Sequence, residues 1–143
     1  MAPVGAGAVD DDTVFFVDEQ TGDLGKSWYL FYEPTQGQTF TATFTFDSAI
    51  VGVLYATVDL DATNAIYGAP GVTYGNASFS GLEEGDTVSF SGNVLTLHLR
   101  ALNPGDHLRV FTAPVSAVPE PATYVLLAAA LVAMRLVVRR RKR

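Results

Sequence analysis

Polar and apolar positions follow two different rhythms along this chain. Between residues 39 and 46 they alternate strictly, with Phe40, Ala42, Phe44 and Phe46 on one face and Thr39, Thr41, Thr43 and Thr45 on the other, the period of a half-buried strand. Residues 87–91 and 94–100 flank Gly92-Asn93, a two-residue signal for a tight hairpin. In the second arm Leu95, Leu97 and Leu99 point inward, and Thr96, His98 and Arg100 point outward. Asn103-Pro104-Gly105-Asp106 carries proline second and glycine third, a strong turn. It leads into a strand at 107–112 with Leu108 and Val110 inside, which leaves His107 and Arg109 outside. Earlier strands are expected at 13–17, 28–32 and 50–58, the last apolar on both faces and therefore central. From residue 122 the alternation gives way to a continuous apolar run.

Six or seven short strands, with no amphipathic helix expected before Pro119, predict a mainly β fold. The expected architecture is an antiparallel β-sandwich, jelly-roll or immunoglobulin-like. Residues 10–113 suffice for one domain with a modest core. The pattern fails between Asp61 and Asp86, a stretch that holds Gly68, Gly71, Gly75, Gly81 and Gly85 together with Tyr67, Tyr74 and Phe79. It is too long for a bare loop, and reads as a glycine-rich hairpin or a functional surface loop. Residues 114–121 form a stiff proline-rich linker.

The apolar run at 122–138 has 17 residues, which as a helix reach about 25 Å, short but workable for a single transmembrane helix. Arg135 lies near its end, where the long stem can lift the guanidinium to the headgroup layer. Arg139, Arg140, Arg141, Lys142 and Arg143 follow and set the orientation, because basic residues beside a span stay cytoplasmic. The domain then faces outward. Its charge agrees: residues 1–121 hold three basic residues against fifteen acids, a net −12, whereas residues 122–143 carry six bases and no acid. Such a domain repels phosphate, so nucleic acid is not an expected partner.

The order of Pro119-Glu120-Pro121, the apolar run and the basic cluster resembles the PEP-CTERM sorting signal of Gram-negative bacteria. The resemblance covers about 25 residues and implies recognition by an exosortase, a transpeptidase-like membrane protein that removes the tail during export. It makes Pro119, Glu120 and Pro121 a recognition and processing motif. It also implies an inner-membrane precursor with a cytoplasmic C-terminus, and a mature form at the cell surface or outside the cell. The same kind of tail is also described as an ice-binding-protein C-terminal motif, a label that does not itself imply ice binding. Residues 54–59, the glycine-rich stretch and residues 81–86 are loosely similar to uncharacterised bodies of other PEP-CTERM proteins, which supplies no activity.

Export calls for a charged and then apolar leader, which residues 1–8 lack. Ala6-Gly7-Ala8, followed by Asp10-Asp11-Asp12, has the small-residue pattern of a signal-peptidase site, so residues 1–9 read as a leader remnant or as an ordinary flexible N-terminus.

Candidate chemistry is sparse. The chain has no cysteine, which excludes disulfides and thiolate sites. His98 and His107 could form a metal pair only if their strands were neighbours, and surface histidines are the better reading. Ser89 and Ser91 lack a Gly-x-Ser-x-Gly elbow. Residues 59–64 begin like a calcium loop, but Asn64 and Pro70 stand where glycine and glutamate are needed. A looser calcium site could use Asp59, Asp61 or residues 10–12. Tyr67, Tyr74 and Phe79 are tentative glycan contacts or plugs of the domain's own core. Asn76-Ala77-Ser78 matches a glycosylation sequon, of little weight in a bacterium. The expectation is a non-enzymatic exported surface or matrix protein without cofactor or metal. The alternative is a module that binds carbohydrate or exopolysaccharide.

Overall fold

The computed structural model describes residues 3–4, 11–75, 80–101 and 105–114. In chain order its elements are β1 (Pro3–Val4), β2 (Asp11–Gly22), β3 (Gly25–Glu33), β4 (Gln38–Thr45), β5 (Ile50–Leu54), α1 (Thr57–Tyr67), β6 (Thr73–Tyr74), β7 (Thr87–Ser91), β8 (Val94–Ala101) and β9 (Asp106–Thr112). The fold is mainly β. One four-stranded sheet runs β2-β3-β9-β5, a three-stranded sheet runs β4-β8-β7, and β1 lies parallel to β6. All pairings within the two larger sheets are antiparallel.

The two larger sheets face each other across one core. Leu30, Leu108 and Val110 from the first sheet meet Leu95, Leu97 and Leu99 from the second. The strict alternation of residues 39–46 is expressed as expected, with Phe40 and Phe44 packed on that core and the four threonines exposed. The β7–β8 turn contains Gly92 at φ +59, and the structure has no non-glycine residue at positive φ among the described residues. That combination is a II′-type hairpin, whose first turn position calls for glycine. At Gly105 both a φ of +83 and a Tyr32 carbonyl oxygen 2.5 Å from any added Cβ exclude side chains. The first two residues of the Asn103-Pro104-Gly105-Asp106 turn lie outside the described residues.

Three expectations are corrected. The chain does form a helix before Pro119: residues 57–67 make α1 and not the end of a strand followed by a loop. Its pattern is faint because only Leu60 and Tyr67, seven positions apart, are buried, and its N-cap Ala56 offers no side-chain hydrogen bond. Packing on the sheet holds it more than propensity does. The strand expected at 50–58 ends at Leu54 and stands at an edge, with β3 and β9 central. It is apolar on both faces because Val53 joins the inter-sheet core while Leu54 joins a second cluster under the helix. That second cluster, built on Tyr29, Phe31 and Leu60, is the third change: the β2-β3-β9-β5 sheet is covered on both faces. Every residue of β9 is therefore buried.

Candidate functional site

Two-sided burial forces a decision on β9. Leu108 and Val110 go to the inter-sheet core, so His107, Arg109 and Phe111 turn toward α1. Arg109 is 0% exposed and opposes Tyr29 across the strand pair. A buried guanidinium is tolerated only when it is paired and its donors are used. Here all five N–H groups find acceptors. Nε donates to Glu19 Oε2 at 2.7 Å and one Nη2 hydrogen to Glu19 Oε1 at 2.8 Å, a fork on the carboxylate supplied by β2. Nη1 donates to the Leu60 carbonyl at 3.0 Å and to Thr63 Oγ1, and Nη2 also donates to Asn64 Oδ1 at 2.8 Å. Tyr29 and Tyr74 lie with ring centroids 5.0 and 5.7 Å from the guanidinium carbon. Ser27 Oγ donates to Glu19 Oε2 at 2.5 Å. The cluster ties α1 to the sheet by one cation.

Burial holds the Tyr29 and Tyr74 phenols well above their usual range, so both stay neutral. Tyr74 accepts from the Ala69 amide at 2.9 Å, and the Tyr29 hydroxyl meets His107 Nδ1 at 3.0 Å. Asp106, one position before His107 on β9 and opposite Tyr32 of β3, is 3% exposed, and its Oδ2 has no hydrogen-bond partner among the described residues. Its pKa is pushed up to about 7, first by burial and then by the negative charges of Asp86 and Glu83.

The placement of the sequence-derived candidates is mixed. His98 points outward, as its strand phase requires, and shares a 2.8 Å hydrogen bond with Thr41. His107 and Arg109, expected outside, are fully buried, because α1 covers what would otherwise be a solvated face. The two histidines belong to different sheets, so the adjacency required for a metal pair is missing. Asp59 and Asp61 sit two apart on α1 rather than on a loop, and residues two apart on a helix do not face each other. Among the described residues no group of three or more His, Cys, Asp or Glu side chains could hold a metal ion. Ser89 and Ser91 lie exposed on β7. Tyr67 is 3% exposed, its ring 4.8 Å from that of Phe111 and its hydroxyl 3.1 Å from the Leu24 amide. Its ring packs inside its own domain. Tyr74 packs edge-on against Tyr29 at 5.0 Å. Phe79 and the sequon at 76–78 lie outside the described residues.

Pro119, Glu120, Pro121, the apolar run 122–138 and Arg139 to Arg143 also lie outside them, as do residues 1–2 and 5–10. Among the described residues no helix is long and apolar enough to cross a membrane. Residues 117–142 match the family model of the PEP-CTERM protein-sorting motif. The chain thus carries a sorting motif of that class, coincident with the Pro-Glu-Pro tripeptide, the apolar run and all but the last residue of the basic cluster. No curated protein and no solved structure matches the chain.

Proposed function

We propose that this chain is a non-enzymatic, exported surface or matrix protein of a Gram-negative bacterium, whose β domain is delivered by a removable C-terminal signal. The observation that carries this reading is the sorting-motif match at residues 117–142. Its chemistry is mechanical. Residues 122–138 hold the precursor in the inner membrane as a single span, and the five basic residues keep the C-terminus cytoplasmic. The domain, at −12 for residues 1–121, stays on the outer side. Two prolines keep residues 119–121 extended, a form that an exosortase-type enzyme at the membrane surface can grip. Cleavage near Pro119 then frees the domain for the surface or the surrounding matrix. The fully saturated Arg109 cluster supports a scaffold role, since its donors are committed to Glu19 and α1.

The test replaces Pro119 and Pro121 with alanine in a host that has the sorting enzyme. The expected outcome is accumulation of a longer, membrane-bound form. Equal mobility of variant and wild type would overturn the reading.

A further inference from the structure

We propose that two copies of this chain pair through β7, edge to edge, so that their three-stranded sheets join into one of six. Among the described residues β7 pairs with β8 alone, which leaves an open backbone edge. In a hairpin with a two-residue turn the flanking Ser91 and Val94 form a hydrogen-bonded pair. Thr87, Ser89 and Ser91 therefore bond to β8, and the N–H and C=O groups of Val88 and Phe90 point to the open side.

Open edges are usually blunted by charge, bulges or shortness. Within the four-stranded sheet, edge β2 carries two register shifts with Asp12 and Asp18, and edge β5 is five residues long with one shift. The strand β7 is also short, but its sequence, Thr-Val-Ser-Phe-Ser, has no charge, no proline and no shift. The strand β4 is equally regular, but its inner aromatic Phe44 is already capped by Phe16, ring centroids 4.9 Å apart.

What selects a second copy as the occupant is a knob with a matching recess. Phe90 is 46% exposed at this edge. A cavity of about 290 Å³ lies beside the same strand, lined by Tyr55, Leu82, Glu83, Asp86, Thr87 and Val88. Antiparallel pairing about a two-fold axis at Ser89 sets Phe90 of each copy opposite Val88 of the other, at the mouth of that recess. The contact is isologous and closes on itself. Glu83 and Asp86 stand on its rim in both copies, so like charges oppose pairing and added salt strengthens it. A membrane tether would raise the local concentration, but the pairing does not depend on the sorting reading.

The chain lacks cysteine, which makes the test direct. Around that axis the two Ser89 residues form a non-hydrogen-bonded pair, with Cα atoms about 4.5 Å apart and within disulfide range. Full-length Ser89→Cys, in detergent and under mild oxidation, should give a covalent dimer whose yield rises with salt. Thr43→Cys, equally exposed on β4, should stay monomeric. Adding Phe90→Lys to Ser89→Cys should lower the rate of dimer formation by about tenfold, equivalent to about 1.4 kcal/mol, while Trp28 fluorescence reports an unchanged fold. The proposal is overturned if Ser89→Cys dimerises no faster than Thr43→Cys. It is also overturned if an equal mixture of the two single variants yields chiefly the cross-linked heterodimer, or if Phe90→Lys leaves the rate unaltered.

Discussion

Replacing Glu19 with glutamine is the sharpest probe of what holds α1 to the sheet. The variant keeps size and shape but removes the only carboxylate that the structure pairs with Arg109 among the described residues. One of the two short contacts, 2.7 or 2.8 Å, would then set an amide N–H₂ against a guanidinium N–H. Breaking one partner of a buried ion pair costs about 3–5 kcal/mol. The acceptors from Leu60, Thr63 and Asn64 remain, so the lower end, about 3 kcal/mol, is expected. Against a total stability of about 5–15 kcal/mol that is a large loss. Arg109→Met should cost more, since it strands the Glu19 carboxylate and frees α1 together. Glu19→Leu combined with Arg109→Met should cost less than the sum of the two single changes. The single tryptophan, Trp28, packs at the core and bonds Thr112 Oγ1 at 3.1 Å, so its fluorescence in urea titrations of the full-length chain follows domain unfolding. Hydrogen exchange of residues 57–67 gives the local measure and should accelerate in Glu19→Gln. A loss below about 1 kcal/mol, or unchanged exchange in α1, would refute the reasoning.

Asp106 and Tyr67 supply the remaining expectations. The Asp106 pKa rises from its usual 3.8 to about 7, so the folded chain holds that proton more tightly than the unfolded one. Its contribution is fully present below about pH 4, falls as pH rises to about 7, and is lost above that. At about 1.4 kcal/mol per pK unit the loss is at most about 4 kcal/mol, and Asp106→Asn should raise the urea midpoint near pH 8 but hardly near pH 4. An equal effect at both would count against it. For Tyr67, removing the hydroxyl that meets Leu24 N at 3.1 Å should cost about 1 kcal/mol in Tyr67→Phe. Tyr67→Ala should cost about 3–5 kcal/mol by leaving a cavity beside Phe111, read as shifts in the same titrations.

Strands with one wet face were readable in advance. On β4 and β8 the threonines, His98 and Arg100 lie outside and the leucines and phenylalanines inside, because alternation records a difference between two environments. The strand β9 has the same alternation, yet both of its faces are dry. His107 and Arg109 look like surface residues because polarity alone does not distinguish water from a buried carboxylate. Nothing near Arg109 in the chain announces Glu19, which reaches it from 90 positions away. The helix was hidden for a related reason: a segment with two buried residues has almost no period to detect. For Tyr67 and Tyr74 the sequence leaves a glycan contact and a plug of the domain's own core both open, and it is packing on Phe111 that buries Tyr67 and packing on Tyr29 that half-buries Tyr74.

By itself the sequence determined the sorting motif and the one-sided strands. The motif works as a linear order of proline, apolar and basic residues, and a strand's period is written in consecutive positions, so neither needs distant partners. The tertiary structure alone decided that a helix lies over the four-stranded sheet, that Arg109 is an internal cation and that β7, among the described residues, pairs on one side only. Each of these depends on which residues, far apart in the chain, share a layer, and burial of that kind is a property of the assembled fold.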